Sequence, residues 1–312
     1  MLPAAVRGAR LDRTIGVMPT TTPDPRRVAV TGAAGKLGRA VVRHLSESGW
    51  RVLSLDRDRP AQDTGEFLTV DLADYGQVLE ALTGGVDEHE EVEAVVHLAA
   101  VPAPGLLPNA ATFANNAAAT YNVFAATRAA GIRNLVWASS ETVLGLPFDT
   151  PPPYVPVDEE YRPRPESTYS LVKALEEEMA HHFCRWDAGL KMVGLRFSNV
   201  MDPEDYAQFP GFDADPHLRK WNLWGYIDAR DGAQAVRLAL EHDGTGTEVF
   251  IIANADTVMS RSSADLMAEV FPGVEARREL GEHETLLGID KARRVLGYEP
   301  QHSWRDHASP EG

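Results

Sequence analysis

The fold is decided by the stretch Arg27-Val28-Ala29-Val30-Thr31-Gly32-Ala33-Ala34-Gly35-Lys36-Leu37-Gly38, where an apolar strand gives way to closely spaced glycines and then to a helical pattern. Glycines at such a junction let the backbone turn tightly and approach a phosphate, whose charge is met by the amides and the positive dipole end of the helix. Asp56 ends the second predicted strand, close to the spacing of about 20 residues expected for a ribose-binding carboxylate. The stretch predicts a dinucleotide-binding turn, with an ordinary glycine turn as the alternative.

Strands and helices alternate along most of the chain. Strands are predicted at 28–30, 50–56, 67–70, 94–98, 134–138, 191–195 and 248–253. Because helical patterns separate most of them, the sequence predicts βαβ units, and hence an α/β fold with a Rossmann-type doubly wound parallel sheet. We expect an N-terminal tail at 1–26 and an NAD(P)-binding Rossmann domain at 27–195. A small C-terminal substrate-binding part, 196–312, is expected to be interleaved with that domain.

Composition and charge limit the partners. The 312 residues include 46 acidic and 30 basic side chains, which gives a formal net charge of −16. Such a field repels phosphate backbones and anionic lipids, so nucleic acid and membrane surfaces are not expected as partners. Cys184 is the one cysteine, and the sequence lacks the Cys/His spacing of a zinc site. These features predict a cytoplasmic protein without a bound metal.

A second group of residues carries reaction chemistry. Tyr169 and Lys173 are spaced so that they share one face of a predicted helix. A tyrosine of ordinary pKa about 10 is a poor base near neutral pH, and an adjacent positive charge lowers that pKa. Ser139 and Ser140 follow a predicted strand, where ligands collect in open α/β sheets. The tyrosine–lysine pair and these serines predict a proton-transfer site, whereas an amphipathic tyrosine on a surface helix is the alternative for the pair alone.

Taken in order, these motifs resemble the extended short-chain dehydrogenase/reductase family, also called the NAD-dependent epimerase/dehydratase family. The segments that carry the resemblance are Gly32-x-x-Gly35-x-x-Gly38, Val70-Asp71-Leu72, His97-Leu98-Ala99-Ala100, Asn116-x-x-x-Thr120, Ser139-Ser140-Glu141-Thr142-Val143-Leu144-Gly145, Tyr169-x-x-x-Lys173 and Leu195-Arg196-Phe197-Ser198-Asn199-Val200. Leu144 replaces the tyrosine usual in the family, and Met201-Asp202-Pro203 replaces its Tyr-Gly-Pro.

The resemblance implies roles for the matching residues. Tyr169 would exchange the hydroxyl proton, Ser140 would hold the reacting oxygen, and Lys173 would bind the nicotinamide ribose and tune Tyr169. His97 is expected to be structural. Asp56 would accept the ribose hydroxyls and repel a 2′-phosphate, so NAD is expected as the cofactor, with NADP as the alternative. The predicted cofactor contacts are Gly32, Gly35, Lys36, Leu37, Gly38, Asp56, Asp71, Leu72, Leu98, Ala99, Ala100, Asn116, Tyr169 and Lys173.

The predicted substrate contacts are Ser140, Glu141, Arg196, Asn199 and Trp221. Arg196 is expected either to bind a substrate carboxylate or to pair within the fold. Trp221 and Trp224 are expected either to stack on a sugar or to lie in the core. The segment between Asn199 and Tyr226 is short, and its cations are Arg219 and Lys220. Since a diphosphate requires paired cations or a bidentate arginine, the sequence favours a smaller substrate.

Three functions follow as hypotheses. The first is an NAD-dependent dehydrogenase that acts on a sugar, a sugar acid or a similar small alcohol. The second is a nucleotide-sugar epimerase or dehydratase, in which the hydride returns within one turnover. The third is a non-catalytic dinucleotide sensor, which the retained Tyr169 and Lys173 disfavour. The resemblance also implies a homodimer, paired through the helix that carries Tyr169 and the long helix before it.

Overall fold

The computed structural model describes residues 26–60, 65–85 and 90–307. Apart from Arg26, the predicted tail lies outside the described residues. The strands are β1 (Arg27–Thr31), β2 (Arg51–Asp56), β3 (Glu66–Thr69), β4 (Ala94–His97), β5 (Asn134–Ser140), β6 (Tyr154–Val155), β7 (Lys191–Phe197), β8 (Val200–Met201), β9 (Ile227–Asp228), β10 (Gly246–Ile252) and β11 (Glu275–Ala276). The α-helices are α1 (Lys36–Glu47), α2 (Tyr75–Thr83), α3 (Asn109–Ala129), α4 (Thr168–Trp186), α5 (Ala229–Glu241), α6 (Ser263–Val270) and α7 (Asp290–Leu296).

Seven strands of the described chain form one parallel sheet in the order β10-β7-β5-β4-β1-β2-β3. Strand β1 pairs with β2 on one side and with β4 on the other, so the direction of winding reverses beside it. Ligands bind outside the carboxyl ends of the strands at such a reversal. The predicted doubly wound α/β sheet is confirmed, and the predicted strands agree with the observed ones to within a few residues.

Helices cover both faces of the sheet, so its central strands are buried on both sides. Strand β1 is buried along its whole length. Val28 and Val30 pack into an apolar layer with Val41 of α1, whereas Ala29 packs into the opposite layer with Val123 of α3. Successive side chains of a strand point to opposite faces, which accounts for this division.

Residues beyond 195 also enter the main sheet. Strand β10 pairs with β7 and extends the sheet at that edge. Two small parallel pairs, β6 with β11 and β8 with β9, were not predicted from the sequence. Each strand of these pairs is only two residues long, so it has no detectable alternation. Within the described ranges, no helix is both long and apolar enough to cross a membrane.

Candidate functional site

A cavity of about 960 Å³ opens at the carboxyl edge of the sheet. It extends from the glycine turn after β1, past the ends of β2 and β4, to the end of β5 and the start of α4. The predicted site residues that line it are Gly32, Gly35, Lys36, Leu37, Gly38, Asp56, Asp71, Leu72, Leu98, Ala99, Ala100, Ser140, Glu141, Tyr169, Lys173, Asn199 and Trp221. The fold therefore collects in one cavity residues that are far apart in the chain.

The glycine turn requires glycine at two positions. Gly32 has a φ of +71°, and a Cβ atom there would lie 2.7 Å from the amide nitrogen of Ala99. A Cβ atom on Gly38 would overlap the carbonyl oxygen of Gly32. Any side chain at these two positions would push the turn away from α1 or from the segment after β4.

The first turn of α1 presents backbone amides to the cavity. Gly35 is the N-cap residue and offers no side chain as a cap, while Lys36, Leu37 and Gly38 line the cavity wall. The first amides of a helix have no partner within the helix, and the positive end of the dipole adds to their attraction for an anion. This uncapped turn fits the pyrophosphate of a dinucleotide.

Asp56 stands at the end of β2, beside the same turn. Its Oδ2 accepts a hydrogen bond from the Ala34 amide at 2.9 Å, and its Oδ1 accepts one from the Arg57 amide at 2.7 Å. The carboxylate is thus held at the cavity wall, where it fits a ribose diol. The ammonium group of Lys36 is paired with Asp205, so it is already neutralised by an acid of the protein.

The start of α4 places Tyr169 and Lys173. Ser167 caps this helix, since its hydroxyl oxygen accepts from the Ser170 amide at 3.1 Å. Tyr169 lies in the first turn and Lys173 one turn later, with Nζ 5.9 Å from the centre of the phenol ring. Ser140, at the end of β5, lines the same cavity. The three predicted catalytic residues therefore surround one space.

The electrostatics of Tyr169 differ in part from the expectation. Burial raises the pKa of Tyr169 above its ordinary value, although Lys173 and the Ser140 hydroxyl act in the opposite direction. The carboxylates of Glu176 and Glu141 add to the increase. Lys173 therefore lowers the pKa of Tyr169, as predicted, but the effect of burial is larger.

Glu176 is a site residue that the sequence reasoning missed. It is fully buried one turn beyond Lys173, and its Oε2 lies 2.9 Å from the Lys173 ammonium. The only sequence signal was its place in the run Glu176-Glu177-Glu178, which is typical of a solvated helix face. His97, predicted to be structural, is buried between hydroxyl groups of Thr31 and Thr120.

An acidic residue, Glu141, lines the part of the cavity that contains Ser140 and Tyr169. Glu141 is buried; its Oε2 accepts from the Ser198 hydroxyl at 2.6 Å and its Oε1 from the Asn222 amide at 3.2 Å. Burial raises the pKa of this carboxyl group to about 7. Trp221 lines the cavity nearby, whereas Trp224 is fully buried in the core.

Two predicted site residues lie outside the cavity wall. The buried Arg196 makes two hydrogen bonds to Glu177, at 2.9 and 2.8 Å. Of the two expectations for Arg196, the structure has the pair within the fold, so its placement as a substrate contact is corrected. Asn116 exchanges two hydrogen bonds with the backbone of Val101, at 2.8 and 3.0 Å. It therefore shapes the segment after β4 instead of facing the cavity. The described part of the chain contains no group of three or more metal-ligating side chains.

Comparisons with known proteins agree with this geometry. The model of the NAD dependent epimerase/dehydratase family matches residues 28–253. An L-arabinose 1-dehydrogenase (NAD(P)(+)) of Haloferax volcanii is 28% identical over 245 residues, which cover 75% of this chain and 91% of the relative. A UDP-glucose 4-epimerase of Rhizobium meliloti is 27% identical, with 88% of this chain and 92% of the relative covered. The solved structure of MoeE5 in complex with UDP-glucuronic acid and NAD is 25% identical, with a TM-score of 0.65 and coverage of 91% and 100%.

Proposed function

The chain belongs to the NAD dependent epimerase/dehydratase family, and from this premise we propose that it is a dehydrogenase of a small, unactivated sugar or similar alcohol. It is an NAD-dependent enzyme, and bound NAD supplies the hydride acceptor for such a reaction. The amides at the start of α1 would hold the pyrophosphate, and Asp56 would bind the adenosine ribose.

Side chains of the protein would orient the substrate and accept its hydroxyl proton. Oxidation of an alcohol removes a hydride from carbon and a proton from oxygen. The Ser140 hydroxyl would orient the substrate oxygen, and Tyr169 would take its proton at the phenol oxygen. Lys173 would favour the deprotonated form of Tyr169 and donate a hydrogen bond to the nicotinamide ribose.

The pairing of Arg219 and Lys220 within the protein is the observation that supports a small substrate. The cavity wall beside Ser140 carries Glu141. The two cations that the sequence offers for a diphosphate already have partners within the protein. Arg219 is buried, donates to the Gly225 carbonyl at 2.8 Å and stacks over Trp221, while Lys220 pairs with Asp149 at 3.5 Å. A nucleotide diphosphate would need such cations, so the arrangement favours a substrate without one.

A nucleotide-sugar epimerase is the second candidate. The observation in its favour is the coverage of the Rhizobium meliloti UDP-glucose 4-epimerase, of which 92% is matched by this chain. In that reaction the same Tyr169 and Ser140 would act, and the hydride would return to the substrate within one turnover. No net NADH would then accumulate.

We also propose that the chain forms a homodimer through α3 and α4. Both helices expose apolar side chains, among them Tyr121 on α3 and Leu171, Leu175 and Trp186 on α4. Large exposed apolar patches are typical of protein–protein interaction sites.

A substrate panel tests the proposal. Aldoses, uronates and nucleotide sugars are each incubated with NAD, and the absorbance of NADH is followed. We expect net NADH with an uncharged sugar, whereas conversion of a nucleotide sugar without net NADH would favour the epimerase.

The role of Tyr169 is tested on the active substrate. Tyr169→Phe is expected to lower kcat by at least about 100-fold, because the proton acceptor is lost, with the Kd for NADH little changed. Tyr75→Phe, on the exposed side of α2, serves as the matched control. Full turnover by Tyr169→Phe would overturn the site assignment.

A further inference from the structure

A buried series of polar side chains joins Lys173 to the segment after β4. Its members are Lys173, Glu176, Thr120, His97 and Thr31, and each has an exposed fraction of 3% or less. The successive distances between their polar atoms are 2.9, 2.9, 3.1 and 2.8 Å. A polar series with so little water contact is retained in a fold only when its hydrogen bonds are satisfied.

The directions of these hydrogen bonds follow from the chemistry of the groups. Lys173 can only donate. Burial raises the pKa of Glu176 above its ordinary value, and Lys173 and the Thr120 hydroxyl act in the opposite direction. In its ion pair with Lys173 the Glu176 carboxylate can only accept. The single hydroxyl proton of Thr120 therefore points to Oε1 of Glu176, at 2.9 Å. The oxygen of Thr120 must then accept from His97, so Nε2 of this histidine carries a proton.

The far end of the series is determined in the same way. Burial, with the charge of Lys173, lowers the pKa of His97 to about 3, so the imidazole is neutral. Since Nε2 carries the proton, Nδ1 accepts from the Thr31 hydroxyl at 2.8 Å. The Thr31 oxygen in turn accepts from the amides of Leu98 and Ala99, at 3.2 and 3.3 Å. Each hydrogen bond between members of the series thus has its donor directed toward Glu176.

Lys173 depends on Glu176 for its charge. Its ammonium group has three donors; one goes to the Ala138 carbonyl at 2.8 Å and one to Glu176 at 2.9 Å. Full burial disfavours an ammonium ion and can lower the pKa of a lysine by several units. Although burial acts in that direction here, Glu176 holds the pKa of Lys173 above its ordinary value.

We propose that Glu176 is a positioning residue of the reaction centre, whose carboxylate keeps Lys173 an ammonium ion and holds it beside Tyr169. Through Thr120 and His97 the same carboxylate ties this ion pair to the cavity wall after β4. The inference rests on the proposed function, because it takes Lys173 as the residue that binds the cofactor beside Tyr169.

The charged and titratable groups around Lys173 support a specific role for Glu176. On α4 they are Tyr169, Glu176 and Glu177, and on β4 the neighbour is the neutral His97. Glu177 makes its hydrogen bonds to Arg196 and Ser139. Loss of the Glu176 charge removes the largest influence that opposes burial, so the pKa of Lys173 falls relative to the parent protein. The ammonium ion is then lost as the pH rises through this lower pKa.

The test uses binding of NADH, followed by its fluorescence from about pH 7 to about pH 9.5. For Glu176→Gln we expect the Kd for NADH to rise at least about tenfold across this range, because burial then lowers the pKa of Lys173 and its ammonium ion is lost as the pH rises. The parent protein should change by less than about threefold, because its Lys173 stays charged. Glu178→Gln removes an exposed acid from the same helix and should follow the parent.

Two further outcomes keep the test decisive. A flat pH dependence for Glu176→Gln, or an equal change in Glu178→Gln, would overturn the proposal. If Glu176→Gln does not fold, as judged by circular dichroism, Glu176→Asp decides, since it keeps the charge but shortens the side chain. It should bind NADH more weakly than the parent at every pH by at least about threefold, and unchanged affinity would overturn the proposal. No sugar is present, so failure of the proposed function appears separately, as absence of turnover in the substrate panel.

Discussion

Adjacent residues at the end of β5 have different surroundings. Ser140 Oγ accepts from the Thr142 amide at 3.2 Å, and its side chain lines the cavity beside Tyr169. The next side chain, Glu141, also lines the cavity, but its carboxylate accepts hydrogen bonds from Ser198 and Asn222. The family resemblance predicted both as substrate contacts. The raised pKa of Glu141 was not predictable, because it comes from burial by residues of a distant segment.

Asp56 is expected to set the preference between NAD and NADP. Its carboxylate lines the cavity at the end of β2, where it would repel a 2′-phosphate. Asp56→Ala should shift the ratio of the Kd values for NADPH and NADH toward NADPH by about tenfold, which corresponds to about 1.4 kcal/mol of repulsion removed. Glu91→Ala removes an exposed acid outside the cavity wall and is the control. Equal shifts in both variants would indicate a general charge effect instead of ribose recognition.

Helix α4 has a buried face that contributes to the site and an exposed apolar face. Its buried face carries Tyr169, Lys173 and Glu176, and its outer face exposes Leu171 and Leu175. The spacing of Tyr169 and Lys173 was sufficient to predict the first face. The buried Glu176 contradicts the usual interpretation of an acidic run, because Lys173 and Thr120 satisfy its carboxylate.

The outer face of α4 provides a test of the proposed dimer. Leu175 is 42% exposed, and a glutamate there would place a charge in the proposed interface. We expect Leu175→Glu to sediment as a monomer at concentrations where the parent sediments as a dimer. Leu218→Glu, at a side chain that is 54% exposed outside α3 and α4, should leave the dimer intact. A monomeric parent protein would contradict the proposal.

A buried ion pair near the site connects strands of the central sheet to helix α4. Arg196 of β7 bonds to Glu177 of α4, and Glu177 also accepts from Ser139 of β5 at 2.6 Å. The pair thus links two central strands to the helix that carries Tyr169. Arg196 therefore stabilises the fold near the site and does not line the cavity.

Arg196→Met is therefore expected to act on stability. It would leave Glu177 buried without its charged partner, which lowers the free energy of unfolding by about 3–5 kcal/mol. Urea unfolding measures this loss, and the Kd for NADH of the folded protein should change little. Arg277→Met breaks the exposed pairs to Asp158 and Glu160, and it should cost less than about 1 kcal/mol. Normal stability combined with lost substrate binding would restore Arg196 as a substrate contact.

The sequence by itself determined the parallel α/β sheet, the glycine turn and the shared helix face of Tyr169 and Lys173, while the family resemblance singled out Ser140. These features depend on local spacing: alternation of apolar runs, glycine conformation, and residues one helical turn apart. The tertiary structure alone decided that Glu176 is the partner of Lys173, that Arg196 pairs with Glu177, and that Tyr169 has a raised pKa. Burial and ion pairing depend on segments far apart in the chain, and a sequence pattern does not specify how much water their packing excludes.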